Sequence, residues 1–246
     1  MKLLVCISKT PDTTSKISFD STGRKFVEDG VQFILNPYDE WYALVRALEL
    51  KEQLGGQVDV VHVGTSSSDI IIRKALAIGA DAAYRIDAEP TDSWFCAQQI
   101  AHFVRDYAYD IILLGIETID YNGSDVGAIL AGILDLPLLS HANKLEWMGS
   151  SARVQVEIEG GVEIFEVQTP FVLSASKGLA EQRIPNMKGI MDAKKKPLEV
   201  LPAQPVESLV EWVRFELPAA KTQVEMIAPD DVDRLVAVLK DELKLI

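Results

Sequence analysis

LLGIETIDYNGSDVGAILAGIL, residues 113–134, passes from one apolar stretch to another through a polar, flexible turn. The first stretch has the short, unalternating apolar pattern of a strand buried on both faces, and the second that of a buried helix. Between them lie Asp120, Asn122, Gly123, Ser124, Asp125, Val126 and Gly127. A strand-to-helix connection in an α/β domain needs about two to six residues and one cap. The surplus here suggests that the turn holds something.

The same strand–turn–helix rhythm extends outward in both directions. Apolar runs LLVCIS (3–8), VDVVHVG (58–64), AAYRID (82–87) and DIILLG (110–115) are separated by helical patterns. Trp41, Leu44, Val45, Leu48 and Leu54 recur at helical spacing, as do Ile71, Ile72, Ala75, Leu76 and Ile78. A third helix, 94–107, has Ile100, Phe103 and Val104 on one face. Alternating β and α elements predict an open, doubly wound, mainly parallel α/β sheet with right-handed crossovers. After Pro137 the pattern changes to apolar–polar alternation in LSHANKLEWMG, ARVQVEIEG and GVEIFEVQT, with Gly160-Gly161 joining the last two as a β-hairpin excursion. PFVLSAS (170–176) then reads as a return to the parallel sheet.

Residues 1–190 are expected to form this α/β domain and residues 191–246 an extended C-terminal arm. MDAKKKPLEVLPAQPVES (191–208) combines three prolines with a Lys triplet and little periodicity. An amphipathic helix is expected over 229–245, with Val232, Leu235, Val236, Leu239 and Leu243 on one stripe and Asp230 and Asp231 at its start. Such an arm either reaches over a second subunit or packs back on its own domain.

Composition narrows the function. The chain has 246 residues, 48% hydrophobic and 25% charged, with a formal net charge of −13. That balance argues against nucleic-acid binding, which needs clustered Lys and Arg. No stretch reaches the roughly 18 apolar residues of a membrane span. The N-terminal run is too short for a signal sequence and soon meets Lys9 and Pro11. Cys6 and Cys96 form no CxxC and have no nearby His pair, so neither a disulfide framework nor a metal site is expected. The chain reads as cytoplasmic.

Ligands of open α/β sheets bind at the carboxyl ends of the strands. Ser8-Lys9-Thr10, the turn Gly64-Thr65-Ser66-Ser67-Ser68 and the loop Asp120–Gly127 fall there. Each alone is explained by capping a turn, but three on one edge can frame an adenosine phosphate. GxGxxG, the P-loop, the GxSxG elbow and the SGGxDS loop are all missing. His62, His102 and His141 sit where structural roles suffice. The pattern is that of a binding platform. Asn36 in NPYDE, residues 36–40, either caps the following helix, as Asp39 also can, or faces the same edge, with Tyr38 exposed to a partner or cofactor.

These motifs, taken in order, resemble the beta subunit of electron transfer flavoproteins over nearly the whole length. The resemblance rests on VCISKTPD, NPYDE, IRKALAIGAD, GIETID, EGGVE, FVLSAS and KGLAEQRIPNMKGIMDAKKKP, closing on an IMxAKKKP pattern. It implies an adenine-nucleotide α-hydrolase-like sheet and a heterodimer with an alpha subunit that holds most of an FAD. It further implies electrons taken from flavin dehydrogenases, such as the acyl-CoA dehydrogenases of fatty acid β-oxidation, and passed to a membrane quinone oxidoreductase. The subunit would act as an electron carrier rather than an enzyme. An AMP would lie against Cys6, Ile7, Ser8, Asn36, Gly64, Thr65, Ser66, Asp120 and Asn122–Gly127, which includes Ser124, Asp125 and Val126. Tyr38 would lie near the flavin, Leu179 and Arg183 would recognise the dehydrogenase, and the arm would embrace the alpha subunit. The chain departs from the family at Ser124-Asp125-Val126, where a carboxylate at Asp125 either caps its helix or faces the phosphate, and at Gln182-Arg183-Ile184. A stand-alone adenine-nucleotide sensor of the stress-protein type shares the fold, but the arm and the EGGVE hairpin speak against it.

Overall fold

A computed structural model describes residues 1–220 and 224–246. The elements are β1 (Lys2–Cys6), β2 (Lys9–Pro11), β3 (Phe33–Leu35), α1 (Asp39–Leu54), β4 (Gln57–Val63), a 3-10 turn (Ser66–Ser68), α2 (Asp69–Ile78), β5 (Ala82–Asp87), α3 (Ser93–Arg105), β6 (Ile111–Gly115) and α4 (Val126–Leu134). There follow β7 (Leu138–Trp147), β8 (Ala152–Ile158), β9 (Gly161–Val167), β10 (Phe171–Ala175), α5 (Met187–Ala193), β11 (Leu198–Pro202), α6 (Val232–Ala237) and a π-helical turn (Val238–Glu242).

The strands form one nine-stranded sheet in the order β11-β5-β4-β1-β6-β10-β7-β8-β9. It is parallel from β11 to β7 and antiparallel across β7-β8-β9. The doubly wound reading holds. Along β1, Leu3 and Val5 enter a core shared with α1 and α2, while Leu4 and Cys6 enter a second core with α3 and α4. That two-sided burial is why the strand sequences lack polar alternation. Fully burying each such Leu or Ile contributes about 1.5–3 kcal/mol. The hairpin turn is Glu159-Gly160, with Gly160 at φ 82°, and Gly161 already pairs with Ile158.

Two compact units divide the chain: Met1–Ile17 with Glu28–Val213, and Ser18–Val27 with Arg214–Ile246. The first therefore runs past residue 190, because β11 pairs in parallel with β5 from Leu198↔Ala83 to Pro202↔Asp87. Pro202 is tolerated there because it closes an edge strand. In the second unit the Phe19 and Phe215 rings stack at 5.1 Å. The C-terminal helix is shorter than expected, α6 plus the π turn, and none of its residues is buried.

Candidate functional site

β4, β1 and β6 are neighbours in the sheet, so Gly64-Thr65-Ser66, Ile7-Ser8 and the loop 116–125 follow their carboxyl ends side by side. Alternation sends the Cys6 side chain into one core and that of Ile7 into the other, which leaves their backbone at the edge. Burial, reinforced by the Glu40 charge, pushes the Cys6 thiol far above its ordinary value, so it stays protonated and unreactive. The Ile7 N–H donates to the Val61 carbonyl at 3.0 Å, and the Ile7 carbonyl lies 2.8 Å from His62 Nδ1.

Burial holds the His62 imidazole down at about 4, so the ring is neutral at pH 7 and Nδ1 is the donor to Ile7. Nε2 then carries the lone pair, buried and without a partner among the described residues. It lies under Gly64, where any Cβ would run into it. The Gly64 carbonyl accepts from Arg85 Nη1 at 3.0 Å, and Arg85 Nε pairs with Asp69 at 2.8 Å. Thr65 Oγ1 lies 3.0 Å from Ser67 Oγ, which also accepts from Lys9 Nζ at 3.0 Å. Ser66 is exposed.

Across the edge, the Ser8 N–H donates to Glu40 Oε2 at 2.6 Å. Glu40 lies in the first turn of α1, 4% exposed, and desolvation pushes its carboxyl up to about 8, with the Asp120 charge acting in the same sense. Its approach requires Gly115, where a Cβ would lie 2.9 Å from Glu40 Cγ and 3.1 Å from Asp39 Cβ. Gly127 plays the matching part on the other face: a Cβ there would press Leu114 Cδ1 at 2.9 Å.

Asn36 does not cap α1. It is buried; its N–H donates to the Ser8 carbonyl at 3.0 Å. Its Nδ2 donates to the Glu117 carbonyl at 3.0 Å, and its Oδ1 accepts from the Ile119 N–H at 3.1 Å. The side chain thus ties two segments together and is spent before it can serve the helix. Asp39 does not cap α1 either, because the N-cap position falls on Tyr38, at φ 65° and with no side-chain bond to the helix. A positive φ is uncommon for a bulky residue, and here it leaves the ring 53% exposed.

The loop 116–125 is organised around Glu117. Asn122 Nδ2 donates to Glu117 Oε1 at 2.8 Å and Ser124 Oγ to Glu117 Oε2 at 2.9 Å. Asn122 and Ser124 are left-handed, at φ 50° and 56°, with Gly123 between them. Asp120 accepts from the Tyr121 N–H at 3.0 Å. Asp125 is the N-cap residue of α4, but its backbone is already helical and its side chain accepts nothing from the helix. Val126 packs on the core and Gly127 is buried. Thus α1, α2 and α4 begin at this edge without side-chain caps. By contrast Asp92, Asn186 and Asp231 cap α3, α5 and α6. Uncapped N–H groups and the positive end of the helix dipole suit a ligand acceptor.

Leu179 is 5% exposed and belongs to the core that contains α1 and α2. Exposed apolar side chains follow in Ile184 of the same loop and in Met187 and Met191 of α5, at 84%, 74% and 64% exposed. Arg183 is held in a surface ion pair, with Nη1 and Nη2 on Glu52 at 2.6 and 3.1 Å, while its carbonyl accepts from Trp41 Nε1 at 3.3 Å. Glu40, Glu117 and Met187 are the residues that sequence reasoning missed. The signal for the first two was an acid inside NPYDE and GIETID.

An open, mainly parallel sheet with helices packed on both faces defines a doubly wound α/β protein. Comparison with known proteins makes this particular. The electron transfer flavoprotein domain family matches residues 24–206. The electron transfer flavoprotein subunit beta of Bacillus subtilis (strain 168) is 35% identical over the whole of both chains. The human subunit of the same name is 32% identical over 82% of this chain and 81% of its own. A third relative, the caffeyl-CoA reductase-Etf complex subunit CarD of Acetobacterium woodii, is 30% identical over 99% of this chain and 98% of its own. The chain belongs to the electron transfer flavoprotein family and matches its beta subunits. Membership makes it an electron-transfer subunit linked to a flavin and paired with an alpha subunit. No helix among the described residues is long and apolar enough to cross a membrane.

Proposed function

We propose that this chain supports an FAD held mainly by the alpha subunit, and that the heterodimer carries electrons in the cytoplasm from flavin dehydrogenases to a membrane quinone oxidoreductase. The observation that carries this reading is the full-length match to beta subunits. The flavin supplies the redox chemistry when bound; this chain positions it, excludes water and presents docking surfaces. Tyr38, held outward by its left-handed backbone, is the residue we place against the flavin. Residues 214–246 embrace the alpha subunit, which accounts for the exposed Leu235, Val236 and Leu243.

The carboxyl edge takes an AMP. Its base and ribose fit the small-residue side, Ile7-Ser8 and Gly64–Ser66, above the unpartnered His62 Nε2. Its phosphate falls toward the uncapped start of α4 and the turn Asp120–Gly127. Acyl-CoA dehydrogenases of fatty acid β-oxidation are our choice of electron donor. The CarD relative, named for a caffeyl-CoA reductase complex, favours a partner that handles CoA thioesters. That partner docks on Ile184, Met187 and Met191 rather than on buried Leu179.

Co-expression with the alpha subunit tests the reading. A yellow 1:1 complex is expected, and Met187→Asp should cut dehydrogenase-dependent flavin reduction at least tenfold while the complex persists. A colourless, stably monomeric chain that binds AMP alone would overturn the carrier reading in favour of a stand-alone nucleotide sensor.

A further inference from the structure

We infer that Glu117 sets the ligand charge this nucleotide site accepts, so that adenosine binds at least as tightly as AMP. The inference rests on the AMP-site reading above and concerns the phosphate end of that site. Asn122 and Ser124, two of the loop's side-chain donors, both point at one carboxylate inside the loop, 2.8 and 2.9 Å from its two oxygens. An ionised carboxylate is acceptor-only and makes stronger hydrogen bonds than a neutral oxygen. Glu117 thus does for the loop what a bound phosphate would do.

Two further contacts fix its backbone. Asn36 Nδ2 donates to the Glu117 carbonyl, and Asn36 Oδ1 holds the Ile119 N–H. The main chain at Glu117 therefore stays in place when a ligand arrives, and its carboxylate remains within reach of the loop. A phosphate must either take Asn122 and Ser124 from Glu117, leaving that carboxylate to water beside it, or sit next to it with those donors already used. Both routes set like charges together at short range, and both offset what the α4 N-terminus offers an anion. Asp39 sharpens the point: burial raises its carboxyl, and the Glu117 charge pushes the same way. The neighbouring charges at this end are themselves acidic. The adenosine end is untouched, because Glu117 makes none of the contacts around Ile7, Ser8 and Gly64.

The test is equilibrium dialysis of the purified heterodimer, freed of bound nucleotide, against radiolabelled adenosine and AMP. The expected wild-type ratio Kd(AMP)/Kd(adenosine) is one or more. Glu117→Gln keeps the size and frees the donors from a charge, so the ratio should fall at least tenfold while adenosine affinity stays within twofold. Wild-type binding of AMP tenfold or more tighter than adenosine would overturn the inference and leave the AMP site standing, and this reading needs no variant to fold. An unchanged ratio in a folded Glu117→Gln heterodimer would also overturn it. Binding of neither ligand would remove the nucleotide site itself, and the inference with it.

Discussion

Helices α3 and α4 lie on the same face of the sheet, each follows a parallel strand, and each is preceded by an aspartate. The two aspartates do opposite things. Asp92 is extended, and its Oδ1 accepts the Phe95 N–H at 2.6 Å. Its Oδ2 accepts the N–H groups of Leu209 and Val210 at 2.6 and 2.9 Å, pinning the segment after β11. Asp125 has a helical backbone, because Ser124 before it is left-handed and turns the chain early, and it caps nothing. A side-chain cap calls for an N-cap residue outside the helical region. Residue type alone therefore does not say whether a helix start is closed by its own chain or left open. The open starts gather at the edge where we place the ligand.

The largest effect that would test this contrast is at α1, another open start. Glu40 has its folded pKa raised to about 8, so between roughly pH 4.5 and 8 the folded chain binds more protons than the unfolded one. Stability is fully present below that window and declines as pH rises through it, by roughly 5 kcal/mol at most. Urea unfolding across pH 5–9 should show the decline, and Glu40→Gln should flatten it; a wild-type profile level from pH 5 to 8 would count against a buried Glu40. Next in size is Asp92→Ala, expected to cost about 2 kcal/mol because three N–H groups lose their acceptor. Limited proteolysis should then cut near residues 208–212, where the wild type resists. Smallest is Asp125→Ala, expected to change stability by less than about 0.5 kcal/mol in the same unfolding assay. A cost there comparable to that of Asp92→Ala would erase the distinction between the two helix starts.

The parallel strands were legible because double-sided burial writes itself as unbroken runs such as Ile111–Leu114. The excursion was legible because β8 alternates, with Val154 and Val156 buried and Arg153 and Glu157 exposed. β11 was not, since an edge strand ending in proline beside a Lys triplet looks like linker. The miniature sheet of β2 and β3, Lys9↔Leu35 to Pro11↔Phe33, was too short to leave a period. At the site, the residue types were readable and their partners were not. Asn36 bonds to Glu117, 81 residues away, and Arg183 to Glu52, 131 residues away. Local pattern gives the nearby cap as the obvious use of an Asn and cannot weigh a partner that only folding brings near. Leu179 stands in a loop, and only the fold shows that this loop packs back over the core.

The position of β10 fixes an order of assembly. Strands β1, β4, β5 and β6 can pair with one another as soon as they are made, and β7, β8 and β9 can zip as a meander of near neighbours. The two blocks share no strand ladder until Phe171–Ala175 arrives to pair with β6 on one side and β7 on the other. On a ribosome, the nascent protein would thus carry two partial sheets, the first still lacking its edge strand β11, waiting for one five-residue keystone. A chain cut at residue 170 would have both halves and no strand to join them.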